Sequence, residues 1–276
     1  MRKIKYPLIV SDFDGTLVNH DGTISQKNKK AIAEYIAAGG KFAISTGRLP
    51  AGIINRAQEL GLVGKVCCCQ GAIVLDIQTK EVILEGRISL KSTLAACKKM
   101  EELGLHIHVY DLWDYYVNKN DEPLRLYEML VKTKATLVLD KPLAQFIQEK
   151  GLRAYKLLAM VEPENNEALL QSLQAEKFEG CEITKSADFL VEVVNKNYSK
   201  GTAVEFLANY YGVPLDRVIA VGDQLNDISM IERAGLGIAV SNADEALKKK
   251  ANYVCAYTNE EGAIAEIIEK FGFCEE

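Results

Sequence analysis

Leu8-Ile9-Val10-Ser11-Asp12-Phe13-Asp14-Gly15-Thr16-Leu17 is the stretch that decides the fold. Its first half is a short apolar, partly β-branched run of the kind buried on both faces of a parallel sheet, and it stops at two carboxylates followed by glycine. In open α/β sheets the ligand crevice lies at the carboxyl ends of the strands. Asp12 and Asp14 therefore stand where a substrate could reach them, and Gly15 permits a tight turn beside it. On an extended backbone, aspartates at i and i+2 point to the same side. A strand end with solvated turn aspartates would read the same way, so the context has to decide.

The segments that follow repeat the pattern. Ser25 is a candidate N-cap for a helix with Ile32, Tyr35 and Ile36 on one face, stopped by Gly39-Gly40. Residues 41–46 read as a strand ending in Ser45-Thr46-Gly47-Arg48, and a helix carrying Ile53, Ile54, Ala57 and Leu60 runs to Gly61. A third strand, 66–69, ends in Gln70-Gly71-Ala72, and a hairpin pairs 73–76 with 82–85. This β-α-β-α-β order predicts a parallel sheet with helical crossovers. Between about residues 88 and 190 the rhythm changes. Helices at 90–103, 122–132 and 164–176 alternate with strands at 106–110, 154–161 and 189–194, and strand-end acid turns are lacking. The earlier style returns after Asn195, with a helix at 199–211 and a strand at 218–221 ending in Gly222-Asp223-Gln224-Leu225-Asn226-Asp227. A helix at 228–234, a strand at 236–240 and helices at 243–250 and 260–271 follow. The prediction is an α/β, Rossmann-like core with a parallel sheet, in two parts (1–86 and 193–276), interrupted by an inserted α+β domain at 87–192.

Composition sets bounds on this reading. The 276 residues suit one large or two modest domains, and 48% hydrophobic with 26% charged residues is ordinary for a packed globular chain. A net charge of -5, with Lys248-Lys249-Lys250 as the one dense basic block, argues against nucleic acid as a partner. Charge at Arg2, Lys3 and Lys5 and the short apolar run after it do not make a signal peptide, and no run is long enough to span a membrane. A soluble, cytoplasmic protein is expected. The seven cysteines, Cys67-Cys68-Cys69 among them, read as reduced core residues.

Four polar strand or helix ends could converge: Asp12/Asp14, Thr46-Gly47-Arg48, Lys200, and Asp223 with Asn226 and Asp227. In this order they resemble the haloacid dehalogenase-like phosphohydrolases, and more closely their Cof-type branch, whose large class IIB cap is inserted between the second and third motifs. Asp12-Phe13-Asp14-Gly15-Thr16-Leu17 matches motif one, Thr46-Gly47-Arg48 motif two, Lys200-Gly201 motif three and Gly222-Asp223-x-x-Asn226-Asp227 motif four. The resemblance covers essentially the whole chain. One departure is Gln70-Gly71-Ala72, where Asn-Gly-Ala would be expected, which bears on a loop contact.

The chemistry can also be argued from the residues. Phosphoryl transfer needs an in-line nucleophile, neutralised oxygens and a proton for the leaving group. Asp12 can attack phosphorus to form an aspartyl phosphate, and Asp14 can act first as general acid and then as general base. None of the three histidines, His20, His106 and His108, lies in a matching motif, so a carboxyl is the expected proton carrier. If Asp12, Asp14, Asp223 and Asp227 share one site, each like-charged pair near 4 Å costs about 4 kcal/mol at an effective dielectric of 20. Lys200 alone cannot offset that, and an all-oxygen set suits Mg²⁺. Asp12 and Asp223 are the expected side-chain ligands. The resemblance adds the Asp14 carbonyl, and Asn226 and Asp227 complete the metal and phosphate surroundings. Thr46, Gly47, Arg48, Lys200 and Asn226 are the expected substrate-binding residues.

The expected activity is Mg²⁺-dependent hydrolysis of small phosphomonoesters, such as sugar phosphates. A sugar-phosphate mutase with the same first step, or a non-catalytic phospho-acceptor module, would use the same residues. The insertion's aromatic stretch, His106 to Tyr110 with Trp113, Tyr115 and Tyr116, reads either as a substrate-facing surface or as ordinary strand packing. The sequence does not indicate the oligomeric state.

Overall fold

The computed structural model describes residues 2–131, 133–187 and 189–274, without the side chains of Leu130, Ser186 and Ala187. Lys132, the expected end of one helix, lies outside the described residues. The chain divides into two compact units, Met1–Gly47 with Arg56–Leu84 and Ser199–Glu276, and Arg48–Asn55 with Glu85–Tyr198. These limits fall at 84/85 and 198/199, against 86/87 and 192/193 in the sequence reading, and the short segment after Gly47 groups with the second unit.

The chain opens with β1 (Leu8–Asp12), α1 (Gln26–Ala37), β2 (Lys41–Ser45), α2 (Pro50–Glu59), of which Pro50–Asn55 groups with the second unit, β3 (Lys65–Cys68), β4 (Ile73–Asp76) and β5 (Val82–Glu85). Leu8, Ile9 and Val10 are fully buried, as an apolar strand covered on both faces requires. Ser25 caps α1 by accepting from the Asn28 N–H at 3.3 Å, and Asn28, Ala31, Ile32 and Tyr35 form the buried stripe.

The second unit contains α3 (Leu90–Glu102), β6 (His106–Tyr110), β7 (Tyr115–Val117), α4 (Glu122–Val131), β8 (Thr136–Leu137) and α5 (Leu143–Lys150). It continues with β9 (Lys156–Met160), α6 (Asn166–Ala175), β10 (Cys181–Ala187) and β11 (Leu190–Asn195). Its sheet runs β10-β11-β9-β6-β7-β8. Ile107, Val109, Leu157, Ala159, Val191 and Val193 face a core completed by α3, α5 and α6. Alternation puts His106, His108, Tyr110, Lys156 and Glu192 on the opposite face. There Tyr127 of α4 stands edge-on to His108 at 4.7 Å, and Lys156 pairs with Glu192 at 2.9 Å in a buried ion pair. The aromatic stretch is therefore packed strand, with His106 to Tyr110 and Tyr115 to Val117 all buried; Trp113, at 37% exposure, is outside it. The two ends of this unit meet: the Tyr198 hydroxyl donates to the Glu85 carbonyl at 3.5 Å, and Gly86 packs against the Tyr198 ring.

The first unit then resumes with α7 (Lys200–Tyr211), β12 (Val218–Gly222), α8 (Ile228–Arg233), β13 (Leu236–Ala239), α9 (Glu245–Lys248), β14 (Tyr253–Val254) and α10 (Ala263–Ile267). Its sheet order is β14-β13-β12-β1-β2-β3-β4-β5. β1 pairs in parallel with β12 (Leu8 opposite Val218) and with β2 (Asp12 opposite Ser45). Strand order thus runs outward in both directions from β1 and β12. That is a topological switch point, where ligand crevices form at the carboxyl ends.

Beside this edge, the turn after β3 has three successive residues with positive φ: Cys69 (49°), Gln70 (58°) and Gly71 (95°). For the two non-glycine residues this region costs roughly 1–2 kcal/mol each. Gly71 is required for a second reason, since a Cβ there would lie 2.2 Å from the Ser199 carbonyl oxygen. The seven cysteines form no disulfide, and burial pushes the Cys67 thiol up to about 12 against the opposing pull of Lys200. No helix among the described residues is long and apolar enough to cross a membrane.

Candidate active site

Asp12 is the last residue of β1 and is 6% exposed. The extended backbone stops there. Asp14 lies beyond it in an exposed turn, so the same-side argument from an extended strand does not describe the pair. Gly15 makes that turn at φ +75°, and a Cβ on it would lie 2.5 Å from Asp223 Oδ2, so only glycine satisfies both demands.

Lys200 begins α7. Ser199 caps the helix reciprocally, accepting from the Thr202 N–H at 3.2 Å while Thr202 Oγ1 accepts from the Ser199 N–H at 2.9 Å. Gly201 lets the helix press on α8: a Cβ would lie 2.4 Å from the Ser229 carbonyl, and its own N–H donates to Ser229 Oγ at 3.1 Å. So positioned, the buried Lys200 ammonium donates to Asp12 Oδ1 at 2.5 Å and to Asp227 Oδ1 at 2.6 Å.

The turn after β12 supplies the remaining carboxylates. Asp227 is fully buried, and its Oδ2 accepts from the N–H groups of Asp223 (2.9 Å) and Gln224 (3.0 Å), folding the loop back on itself. Asp223 accepts from Thr16 Oγ1 at 2.6 Å and from Gln224 Nε2 at 3.3 Å. Oxygens of Asp12, Asp223 and Asp227 lie within 4.8 Å of one another.

Charge in this cluster is unbalanced, with three buried carboxylates around one buried ammonium. Burial raises Asp12 well above the usual carboxylate range, and Asp227 and Asp223 add to the rise against the opposing pull of Lys200. Burial likewise raises Asp223, helped by Asp227 and opposed by the Thr16 hydrogen bond. For Lys200, burial alone would lower the ammonium, but Asp12 and Asp227 together hold it above its ordinary value. At about 4 kcal/mol per pair near 4 Å and an effective dielectric of 20, such repulsion is what a bound cation relieves. An all-oxygen set fits a hard divalent ion such as Mg²⁺. Asp227 gives its oxygens to the Lys200 ammonium and to two loop N–H groups, whereas Asp223 accepts from the neutral side chains of Thr16 and Gln224, so Asp12 and Asp223 are the better candidates for side-chain ligands.

Thr46 is buried directly after β2. Its N–H donates to the Cys67 carbonyl at 2.8 Å, and its carbonyl accepts from Gln70 at 3.2 Å. Gly47 lies under the Gln70 side chain. Asn226 is exposed, and its amide donates to Gln70 Oε1 at 3.2 Å. Arg48 belongs to the second unit, where its guanidinium donates to the Val131 carbonyl at 3.3 Å. The structure therefore brings Asp12, Lys200, Asp223 and Asp227 together within the first unit and sets Thr46 one strand away, while Arg48 belongs to the second unit. Sequence reasoning missed the roles of Thr16, Gln224 and Ser229. Thr16 lay within the first motif, whereas Ser229 carried no signal in the pattern.

The chain is similar to known proteins over most of its length. Residues 9–268 match the family described as haloacid dehalogenase-like hydrolase. A Haemophilus influenzae protein with an inferred phosphatase name is 31% identical over 96% of this chain and 98% of its own. The 5-amino-6-(5-phospho-D-ribitylamino)uracil phosphatase of Bacillus subtilis is 27% identical over 96% of this chain and 97% of its own. A Thermotoga maritima crystal structure superposes with a TM-score of 0.86 at 25% identity, covering 98% of each chain. The chain belongs to the haloacid dehalogenase-like hydrolases, in the Cof-type branch, and the two relatives named above carry phosphatase names.

Proposed function

We propose that the chain is a Mg²⁺-dependent phosphomonoester hydrolase acting on small phosphorylated metabolites, sugar phosphates or related compounds, through an aspartyl phosphate on Asp12. The observation that carries this reading is the single buried Lys200 ammonium bridging Asp12 and Asp227 at the switch point of the sheet. The B. subtilis relative, named for a phosphorylated ribityl compound, supports the substrate class.

An Asp12 carboxylate oxygen attacks phosphorus as the P–O bond to the leaving group breaks, and the Asp14 carboxyl donates its proton to the departing alkoxide. Asp14, now a carboxylate, takes a proton from the water that attacks phosphorus, and inorganic phosphate leaves with Asp12 restored. Its exposed turn gives it access to both partners. Lys200 and the Thr46 hydroxyl serve the phosphoryl oxygens, with Gly47 offering a backbone N–H. Asp227 orients Lys200 and the loop 222–224. Asp12 and Asp223, with the Asp14 carbonyl, would hold Mg²⁺, which when bound supplies the positive charge that the cluster lacks. Cysteines that form no disulfide and are mostly buried suit a reducing, cytoplasmic setting. The range 87–192 is the proposed cap domain.

A phosphate-release screen over sugar, nucleotide and cofactor phosphates, with Mg²⁺ or with EDTA, tests the reading. Turnover should require Mg²⁺ and vanish in Asp12→Asn while the circular dichroism spectrum is unchanged. A wild type inactive throughout, or an Asp12→Asn variant near wild-type rate, would refute it.

A further inference from the structure

Gln70 occupies the middle of the left-handed turn after β3, half-buried, and its side chain runs back across the neighbouring strand end. A Cβ on Gly47 would lie 2.7 Å from Gln70 Nε2 and 3.3 Å from its Cδ, so the carboxamide rests on the Gly47 backbone. Its Oε1 accepts from Asn226 Nδ2 at 3.2 Å. Asn226 follows β12 and Gln70 follows β3, while β1 and β2, which lead to Asp12 and Thr46, lie between those strands in the sheet. The hydrogen bond thus arches across the mouth of the site. With its oxygen turned to Asn226, the amide presents its N–H groups toward Gly47, and they have no protein acceptor among the described residues.

The backbone argues that this side chain is kept for what it does. Gln70 at φ 58° directly follows Cys69 at φ 49°, a conformation that glycine adopts without steric penalty. Strained residues persist where the surroundings over-determine them, and they cluster at ligand clamps. Here the clamp would be a phosphate edge. The Lys200 ammonium is shared between two carboxylates, so the outer phosphoryl oxygens need further donors, and a neutral amide provides one.

We propose that Gln70 is a substrate-binding residue: its amide N–H donates to a non-bridging phosphoryl oxygen beside Thr46 and Gly47, with Asn226 fixing the orientation of the amide. The assignment rests on the phosphatase reading above.

The test uses the full chain with Mg²⁺ and p-nitrophenyl phosphate, measuring kcat, KM, the inhibition constant of inorganic phosphate and the Tm of each variant. Gln70→Gly removes the donor and relieves the backbone, so kcat/KM should fall about tenfold or more and phosphate inhibition should weaken similarly, while Tm holds or rises. Gln70→Glu keeps an acceptor for Asn226 but replaces the donor with negative charge, and should weaken phosphate inhibition further. An active wild type silenced by Asp12→Asn, with every Gln70→Gly constant within about twofold of wild type, overturns this assignment alone. Loss of Tm and kcat together with unchanged phosphate inhibition also overturns it, because the role would then be structural. A wild type that releases no phosphate overturns both readings.

Discussion

Lys200 is the residue on which the cluster's stability and its chemistry both depend. Removing one partner of a buried ion pair leaves the other charge uncompensated, at a cost of about 3–5 kcal/mol. Lys200→Met should therefore lose turnover and also unfold at markedly lower urea. Adding Asp227→Asn to that variant should restore part of the loss, because one of the stranded carboxylates becomes neutral. Four unfolding curves in a double-mutant cycle measure the coupling, and additive losses would show that the two groups do not interact. The same excess of carboxylate makes a cation stabilising. Mg²⁺ at 100 times its dissociation constant should add about 2.7 kcal/mol, seen as a rise in Tm that Asp223→Asn abolishes. A rise of equal size in that variant would place the ion elsewhere.

At the scale of elements, the pair of β3 and β4 carries its own charge contact, since Lys65 stands directly opposite Asp76 and meets its carboxylate at 2.8 Å. Burial pushes the Asp76 carboxyl up. The Lys65 ammonium and the N–H groups of Thr79 and Gln78 outweigh that and hold it at about 2. A carboxyl held below its unfolded value contributes its full stability above about pH 4 and loses it as the pH falls through 2. Asp76→Asn should therefore cost about 1 kcal/mol at pH 7, after allowing for solvent screening, and the gap should narrow between pH 4 and pH 3. Urea unfolding at each pH checks this, and a constant gap would assign the effect to the turn's hydrogen bonds. Elements were legible where their pattern was long. Residues 106–110 were predicted with their observed ends, because their alternation was undisturbed. Tyr115–Val117 is only three residues long and has no readable period, and Cys181–Ala187 mixes polar and apolar residues on a sheet edge. Leu143–Lys150 did carry a signal, with Pro142 at its N-cap and Gly151 in the left-handed conformation at its end. At the site, Asp12, Lys200, Asp223 and Asp227 were readable because each ends a strand or starts a helix. Gln70 was seen only as a departure from a pattern, because a left-handed backbone at glutamine leaves no mark on composition or periodicity.

For the molecule as a whole, the first unit is assembled from both ends of the chain: β1 pairs with β12 across the entire second unit in sequence. Pairings of such separation form late, since loop closure precedes any gain from contact. The second unit has its own core, drawn from three helices and one sheet face, together with its own buried ion pair. A fragment of residues 85–198 should therefore melt cooperatively by itself, whereas 1–84 expressed alone should not. A non-cooperative melt of 85–198 would show that it depends on the remainder of the chain. Because the Tyr198 hydroxyl touches the Glu85 carbonyl, the segment 85–198 begins and ends at one narrow doorway. An insert of another shape, spliced at that doorway, would inherit the reaction without any re-threading of the strands. A single catalytic chassis could in this way be fitted with many interchangeable modules.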